Sequence, residues 1–432
     1  MPHASVQPPP VEVVFLGTSS MMSSATRNVS GIGVTISGEC WIFDAGEGVG
    51  QQLSKAALLL SAVSRIFVTH MHGDHVFGLM GLLLSVGNTG VARDIQVVGP
   101  PGLRRYLRRN FADSQSNMRC RYRVDELWRA TSDELPCDYA LLPFEQSGQN
   151  IFPASDVWHV PGSDHTPFRV LAASLRHTLE PCFGFVVQEQ DYRGRVQLTP
   201  ALKARLLAAD NAAALRQTYG FENPLQVLSM IQNGATIELP DGQLCGDDIM
   251  GPTRHGRRLV VLGDTCDSRA MAAIAVGADL LVHECTNAYI ASLDAATSPE
   301  EVEARTYVHG HSTPATAGKF ASAIAASRLV LTHFSRRYRD DHSDEMDHVM
   351  ASMKAQCREH YTIGPIDCAH DLQHIRVPVR DEGQRDLAAE GHVAARLAGK
   401  AADEAKAAAK VFFDTHTEST DGFTAHAKRL LH

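Results

Sequence analysis

The sequence lacks paired cysteines and long apolar runs. Its nine cysteines are scattered and odd in number, and none forms a Cys-x-x-Cys pair, so neither a disulfide framework nor a cysteine-based zinc site is predicted. No apolar run is long enough to cross a bilayer. Residues 1–10 have neither the basic start nor the apolar core of a secretory signal, and we expect a short flexible lead there. These absences favour an intracellular protein, cytoplasmic or nuclear, with organelles left open and no membrane partner.

Excess positive charge is also missing. The formal net charge is −9 over 432 residues, which opposes binding to a nucleic acid unless cations are gathered on one local surface. The apolar fraction of 44% and the charged fraction of 21% are ordinary for a globular protein with a large core. One large domain with insertions and two domains both fit this length.

A histidine cluster is the strongest chemical signal. It directly follows the apolar, β-branched run at 66–68, which predicts a buried strand, and precedes a long apolar stretch that predicts a buried helix. His70 and His72 lie two residues apart on an extended segment and can offer two imidazoles to one ion, while Asp74 and His75 point elsewhere. One loop could therefore serve two metals. Imidazole ligands favour zinc over magnesium, and manganese or iron stays open.

Three other apolar strands are predicted to end at chemically competent side chains, namely Asp264, Glu284 and His333. Because parallel β/α sheets gather their sites at the carboxyl ends of strands, we expect these residues to converge with His70 in an α/β fold. Asp44 also ends a strand. It is either a turn residue or a partner that orients a ligand histidine, and the sequence leaves both readings open.

Four arginines occur on one predicted helix, 102–110, and their i, i+4 spacing predicts that they share one side of it. They are Arg104, Arg105, Arg108 and Arg109. A solvated helix face is the usual meaning of such a run, and a patch that binds RNA phosphates is the functional alternative.

The chain is predicted to divide into a catalytic domain at 11–378 and a helical tail at 379–432 whose helix spans 394–413. Within the domain, 113–164 has poor periodicity and predicts loops with short strands, as in an insertion. Residues 189–244 differ in character, with a helix predicted at 200–219, and look like an excursion from the sheet.

The motifs together resemble those of the metallo-β-lactamase superfamily and, more narrowly, the ribonuclease Z family of tRNA 3′-processing endonucleases. The matching motifs are Phe15-Leu16-Gly17-Thr18, Arg27-Asn28-Val29-Ser30, Asp44-Ala45-Gly46-Glu47-Gly48, the His70-x-His72-x-Asp74-His75 cluster, Gly263-Asp264-Thr265, His283-Glu284 and Gly310-His311-Ser312-Thr313. The resemblance spans roughly residues 11–335.

This resemblance implies an αββα sandwich with a dinuclear zinc site. The implied ligands are His70, His72 and His177 for one ion, Asp74, His75 and His333 for the other, and Asp264 bridging both. It further implies that His311, backed by Glu284, donates a proton to the leaving group. Asp74 is expected to orient or deprotonate the attacking water.

The resemblance also implies a substrate, precursor tRNA, and a homodimer in which an arm of one subunit serves the site of the other. Residues 189–244 occupy the place of that arm, and Arg193 and Arg195 are its candidate phosphate contacts. The segment lacks the Gly-Pro tip and the lysine cluster of the family arm. Another hydrolase of this fold, acting on small phosphodiesters, thioesters or lactones, is the main alternative. A non-catalytic RNA-binding protein is the third reading.

Overall fold

The structure is a computed structural model that describes residues 8–90, 94–130, 139–162 and 166–379. The tail helix predicted at 394–413 and most of the lead predicted at 1–10 lie outside these residues. The strands are β1 (Val11–Gly17), β2 (Gly31–Ile36), β3 (Glu39–Phe43), β4 (Val63–Phe67), β5 (Ile95–Gly99), β6 (Tyr122–Leu127), β7 (Glu145–Gln146), β8 (Asn150–Ile151), β9 (Val157–Val160), β10 (Phe168–Leu175), β11 (Cys182–Glu189), β12 (Ile237–Leu239), β13 (Gly242–Leu244), β14 (Arg258–Leu262), β15 (Leu280–Glu284), β16 (Leu329–Thr332), β17 (Ile366–Cys368) and β18 (His374–Arg376).

Helices connect and cover these strands. They are α1 (Val49–Lys55), α2 (Gly73–Val76), α3 (Leu79–Gly87), α4 (Leu103–Asp113), α5 (Pro200–Leu207), α6 (Ala209–Tyr219), α7 (Val227–Gln232), α8 (Gly246–Ile249), α9 (Ala272–Ala275), α10 (Pro299–Val308), α11 (Pro314–Ala323) and α12 (Asp344–Arg358). None of the helices in the described ranges is both long and apolar enough to span a membrane.

Two large sheets pack face to face between layers of helices. One has the strand order β18-β1-β2-β3-β4-β5-β6-β7, with β8 beside β6, and the other has the order β17-β16-β15-β14-β11-β10-β9. Inward side chains of both sheets form a central core that includes Phe43, Phe67 and Phe185. Helices α1, α3 and α4 cover the outer face of the first sheet, and α11 and α12 cover that of the second. The predicted αββα sandwich is confirmed.

The apolar run before the histidine cluster is explained by burial on both faces of the first sheet. Phe67 points into the central core, whereas Ile66 and Val68 pack under the outer helices. Period-2 alternation then places apolar side chains on both faces, so no polar residue interrupts the run. The predicted strand is confirmed, with β4 ending at Phe67.

Parallel pairing brings the predicted strand ends to one edge of the second sheet. Strands β14, β15 and β16 are parallel neighbours. Asp264 follows β14 by two residues, Glu284 is the last residue of β15, and His333 directly follows β16. Asp264, Glu284 and His333 therefore meet at this edge, as predicted.

Two helices that we predicted as continuous are interrupted. After the histidine cluster, the break falls at Gly78, where a Cβ would lie 2.0 Å from the carbonyl oxygen of Gly46. The helix breaks because two chain segments approach closely at Gly78, and the helix propensity of the local sequence does not predict such a contact. The helix predicted at 200–219 is divided at Ala208, whose ψ of 138° is extended. The turn lets Leu206 and Leu215 share one core.

The described part of residues 113–164, where we predicted loops with short strands, contributes four strands to the two large sheets. β6 pairs in parallel with β5, and β7 and β8 both pair with β6. β9 belongs to the other sheet, where it pairs with β10.

Residues 189–257 form the main part of a second, smaller compact unit. It contains α5 to α8 and the β12–β13 hairpin around a core of its own. Glu189 and Arg257 are the first and last residues of this segment, and both are nearly fully buried. They form a two-point ion pair with N···O distances of 2.7 Å. Tyr192 donates a further hydrogen bond to Glu189.

We expect Glu189→Ala to lower the free energy of unfolding by about 3–5 kcal/mol, because removing one partner leaves a buried charge unpaired. Chemical denaturation followed by circular dichroism measures the loss. The matched control is Arg216→Ala, which removes an exposed pair with Glu222 at 3.6 Å and should cost less than about 1 kcal/mol. Equal losses of unfolding free energy in the two variants would show that the buried pair stabilises the fold no more than the exposed pair does.

Candidate metal centre

Three histidines and one aspartate form the first group of ligand atoms. His72 Nδ1 lies 2.9 Å from His70 Nε2 and 3.2 Å from His177 Nε2. Asp264 Oδ2 lies 3.8 Å from the Nε2 atoms of both His70 and His177. The loop before α2 supplies His70 and His72, and the segment after β10 supplies His177.

A second group lies on the other oxygen of the same aspartate. Asp264 Oδ1 is 3.4 Å from His75 Nε2 and 3.3 Å from His333 Nε2. Asp74 Oδ2 is 3.6 Å and 3.4 Å from the same two nitrogens. Asp264 therefore presents one carboxylate oxygen to each group.

The spacing of these atoms fits divalent ions. Tetrahedral ligands 2.0–2.1 Å from an ion would be separated from each other by about 3.3 Å. Most of the separations in both groups are too long for strong hydrogen bonds, yet all lie near this value. The donors are imidazole nitrogens and carboxylate oxygens, a set that suits zinc and related transition metals. Both groups thus pass a test of donor chemistry and spacing.

Asp44 orients the histidine of the second group. It accepts a hydrogen bond from His75 Nδ1 at 2.7 Å, which leaves Nε2 to face Asp264. The same carboxylate accepts from the backbone N–H and the hydroxyl of Thr69. Thr69 Oγ1 in turn lies 3.0 Å from Nδ1 of His70. Of the two readings of Asp44, the structure favours the histidine partner, because such contacts fix the ring and its tautomer.

Two more histidines, His177 and His333, are held in the same manner. His177 Nδ1 donates to the carbonyl oxygen of Gly310 at 2.8 Å. His333 Nδ1 lies 3.0 Å from the hydroxyl of Thr286. In each of these rings Nδ1 contacts a fixed partner, and Nε2 faces the candidate metal position. Ligand histidines usually show this arrangement.

Burial and charge divide the histidines into two classes. Burial lowers the pKa of His70, His72 and His177, that of His177 to about 4, so these rings are neutral at pH 7. Burial acts in the same direction on His75, but Asp264 and Asp44 outweigh it and hold the pKa of His75 well above its usual range. A metal and a proton therefore compete for His75 Nε2.

We expect metal loading of the second group to release about one proton at pH 7, and loading of the first group to release fewer. The sign follows because a raised pKa keeps the metal-free His75 protonated, whereas lowered pKa values leave His70, His72 and His177 neutral. Calorimetric titration of the metal-free protein with zinc, in two buffers of different ionisation enthalpy, counts the protons. Asp44→Asn should reduce the release. An unchanged count in that variant would contradict the explanation.

Glu284 is a buried carboxylate with every partner supplied by the protein. Its Oε1 accepts from the backbone N–H groups of Thr265 and Ser312 and from His311 Nδ1 at 3.0 Å. Its Oε2 accepts from the backbone N–H and hydroxyl of Thr286. Burial opposes ionisation, but His311 lowers the pKa of Glu284, so the carboxylate is charged.

That carboxylate prepares His311. Burial works against the charged ring, but Glu284 raises the pKa of His311 to about 9. The ring lies close to Asp264, with Nδ1 3.9 Å from Oδ2. Because Nδ1 donates its hydrogen to Glu284, it has no lone pair for a metal. The arrangement suits a proton donor better than a ligand.

A cleft of about 960 Å³ opens beside the two groups. His72, Asp74, Asp264 and His311 all line it. Met21, in the loop after β1, donates its backbone N–H to Asp74 Oδ2 at 2.7 Å and so helps to fix that carboxylate. A substrate in the cleft would meet both metal groups and the His311 ring at once.

The structure divides the four arginines of α4 into two pairs, so the prediction that they share one side is wrong. Arg104 bonds to Asn150 Oδ1 at 3.1 Å, and Arg108 bonds to Glu145 at 2.8 Å, both mostly buried. Arg105 and Arg109 are exposed. Neighbouring residues on a helix are about 100° apart, so the two i, i+4 pairs follow different strips.

Arg193 and Arg195, the other predicted RNA contacts, lie in the smaller unit, where both are exposed. Our sequence reasoning missed the hydroxyls of Thr69 and Thr286. The one available signal was position, since each follows or precedes a predicted site residue by no more than two places.

Comparison with known proteins adds independent information. A family profile described as "Anti-Pycsar protein Apyc1" matches residues 11–110. Ribonuclease Z of Microcystis aeruginosa is 33% identical over 351 residues, which cover 80% of this chain and 91% of that protein. Zinc phosphodiesterase ELAC protein 1 of Homo sapiens is 33% identical over 390 residues, 86% of this chain and 99% of that protein. The crystal structure of human tRNase Z, short form, aligns with a TM-score of 0.54 at 28% identity, covering 85% of this chain and all of that one.

The αββα sandwich and its histidine and aspartate groups define a hydrolase of the metallo-β-lactamase fold. The identity and coverage of the relatives narrow this class. The chain belongs to the ribonuclease Z family, and it is a metal-dependent phosphodiester hydrolase.

Proposed function

We propose that this protein is a zinc-dependent endoribonuclease that removes the 3′ trailer from precursor tRNA. The names of its relatives support the substrate. The observation that carries the proposal is the pair formed by His311 and Glu284, 3.0 Å apart beside Asp264. Hydrolysis of a phosphodiester between ribose units expels a 3′ oxygen that needs a proton. A thioester expels a thiolate, which leaves without a proton, so it has less need of a dedicated acid at this place.

Seven side chains would hold the metals. They are His70, His72 and His177 for the first ion, Asp74, His75 and His333 for the second, and Asp264 for both. A bound pair of zinc ions supplies a nucleophilic water at neutral pH and offsets the charge of the reacting phosphate.

The protein's own residues perform the remaining steps. Asp74, fixed by the Met21 amide, orients the attacking water. His311 holds a proton at Nε2 while Nδ1–H is tied to Glu284. His311 then gives the Nε2 proton to the departing 3′ oxygen. Glu284 acts as a positioning residue because its five hydrogen bonds keep it charged and fixed.

The same proposal assigns tRNA contacts to the smaller unit. Residues 189–244 act as an arm in a homodimer, with Arg193 and Arg195 on phosphates. On α4 the exposed Arg105 and Arg109 remain candidates. Arg104 and Arg108 are held by intramolecular partners and are better suited to a structural role.

A substrate panel tests the function. Zinc-loaded protein is assayed on a precursor tRNA, bis(p-nitrophenyl) phosphate, a thioester and a lactone, before and after chelation and after zinc is restored. We expect cleavage of the precursor, loss on chelation and recovery with zinc. Turnover of a thioester or lactone with no action on the precursor would assign the protein to another branch of the fold. Binding of the precursor with no turnover of any substrate would favour the non-catalytic reading.

A further inference from the structure

Three large apolar side chains are exposed on the wall of the cleft. Met21 is 75% exposed, Phe77 is 68% exposed and Met22 is 44% exposed. All three line the same cleft as Asp74 and His311. Single exposed apolar residues are common on protein surfaces, but a group of three around one opening marks a binding surface.

The fold keeps these side chains in place. Met21 has a φ of 65°, a left-handed conformation that is unfavourable for a residue with a side chain. Its N–H is bonded to Asp74 Oδ2, and the carbonyl oxygen of Met22 accepts from Ser19 Oγ at 2.8 Å. The ring of Phe77 lies over Gly73, where a Cβ would be 2.3 Å from the ring. Met21, Met22 and Phe77 are called the apolar wall below. Backbone strain at Met21 and the close contact of Phe77 with Gly73 both occur where this wall adjoins a metal group.

Two cations lie on the same cleft. Arg305, on α10, and Arg336, three residues after His333, both line it and are exposed. Within the described residues neither has an acidic side chain within 4 Å. Arg336 Nη1 instead lies 3.3 Å from the sulfur of Met22, so a positive charge borders the apolar wall.

We propose that this wall is a binding site for the single-stranded nucleotides that flank the scissile phosphate. Phe77, Met21 and Met22 stack against bases, while Arg305 and Arg336 bind the neighbouring phosphates. The inference rests on the proposed function and deepens it by naming the RNA contacts next to the chemistry.

The chemistry of the wall fits this occupant. Every base offers a π face and an apolar surface, so a Phe and Met wall can accept different sequences, and arginines follow the backbone. Glu47 is the one carboxylate of the lining that lies outside both metal groups. It repels phosphate, so we place the backbone along Arg305 and Arg336.

The test couples protein variants to substrate changes. Zinc-loaded Phe77→Ala and Phe77→Leu are assayed on precursor tRNA and on the same RNA made abasic on either side of the cleavage point. On the intact RNA, Phe77→Ala should lose roughly 5- to 100-fold in kcat/KM, the size of one stacking contact. The loss should largely disappear on the abasic RNA that lacks the stacked base. Phe77→Leu keeps the packing on Gly73 and should lie between. Equal losses of each variant on intact and abasic RNA would overturn the stacking site.

The arginines are tested by salt dependence. Arg305→Gln and Arg336→Gln should each flatten the slope of log affinity against log salt by about 0.7 for a single-stranded RNA contact. The control is Arg376→Gln, which removes an arginine that is 91% exposed and should leave the slope as it is. Unaltered slopes in both cleft variants would overturn the phosphate site.

Failure of the proposed endonuclease function can be distinguished from failure of the nucleotide-binding site. If the unmodified protein does not cleave precursor tRNA, that function is wrong. The cleft is then tested by fluorescence anisotropy with a short single-stranded RNA bound to zinc-loaded protein. Weaker binding in the Phe77 and arginine variants would support the site. Unchanged binding would overturn it.

Discussion

Asp264→Ala should remove both metals and all measurable hydrolysis. Asp264 is the only described residue whose two carboxylate oxygens each face a separate ligand group, Oδ2 toward His70 and His177 and Oδ1 toward His75 and His333. Without it each group loses an anionic ligand. The first group is then left with histidines alone, and the second keeps Asp74 as its single carboxylate. Metal content is measured by elemental analysis after gel filtration.

The control for this variant is a carboxylate remote from the ligands. Asp241, exposed in the smaller unit and paired with Arg205 at 3.0 Å, is replaced by alanine, and its metal content should match that of the unmodified protein. Circular dichroism of Asp264→Ala tests whether the fold persists, and we expect the spectrum to match that of the unmodified protein. Full zinc occupancy in folded Asp264→Ala would contradict the bridging assignment.

His311→Ala should keep its metals and lose roughly 10²- to 10⁴-fold in kcat on precursor tRNA, the usual contribution of a general acid. The ring donates Nδ1–H to Glu284 and faces the cleft. A leaving group that needs no proton, such as p-nitrophenolate, should be affected much less. This difference between substrates separates proton donation from a general loss of structure.

The pH profile supplies a second readout for His311. Glu284 raises the pKa of His311 to about 9, so the acid is present below that pH and is lost as the pH rises through it. The alkaline limb of kcat should therefore disappear in His311→Ala. Glu284→Gln should shift it to lower pH. Equal losses on both substrates, with the alkaline limb retained, would reject the role.

The chemistry of the site could be anticipated because its ligands are local in sequence or end a strand. His70 to His75 lie in one short stretch that runs from the loop after β4 into α2. Parallel pairing dictates that residues at the carboxyl ends of β14, β15 and β16 meet at one edge. His177 was different, since only the resemblance pointed to it. It too follows a strand, β10, but a strand end alone does not identify a ligand. Its orientation depends on a contact with Gly310, 133 positions away.

Other features depend on packing that the sequence does not encode locally. The break at Gly78 exists because its backbone touches Gly46. Arg104 and Arg108 turned out to serve structure because strands from 122–151 pack against that strip of α4. The apolar wall could not be predicted from the sequence, because Met21 and Phe77 are far apart in the chain and belong to no common periodic pattern. Only the folded chain places them on one cleft.

Analysis of the RNA ends after cleavage tests the central claim most directly. Precursor tRNA is incubated with zinc-loaded protein, and both products are sequenced and their terminal groups determined. We predict a single cut that frees the trailer, with a 3′-hydroxyl on the tRNA and a 5′-phosphate on the trailer, because His311 protonates the 3′ oxygen as it leaves. A 3′-phosphate or 2′,3′-cyclic phosphate on the tRNA, or an intact precursor beside rapid hydrolysis of a small phosphodiester, would contradict this account.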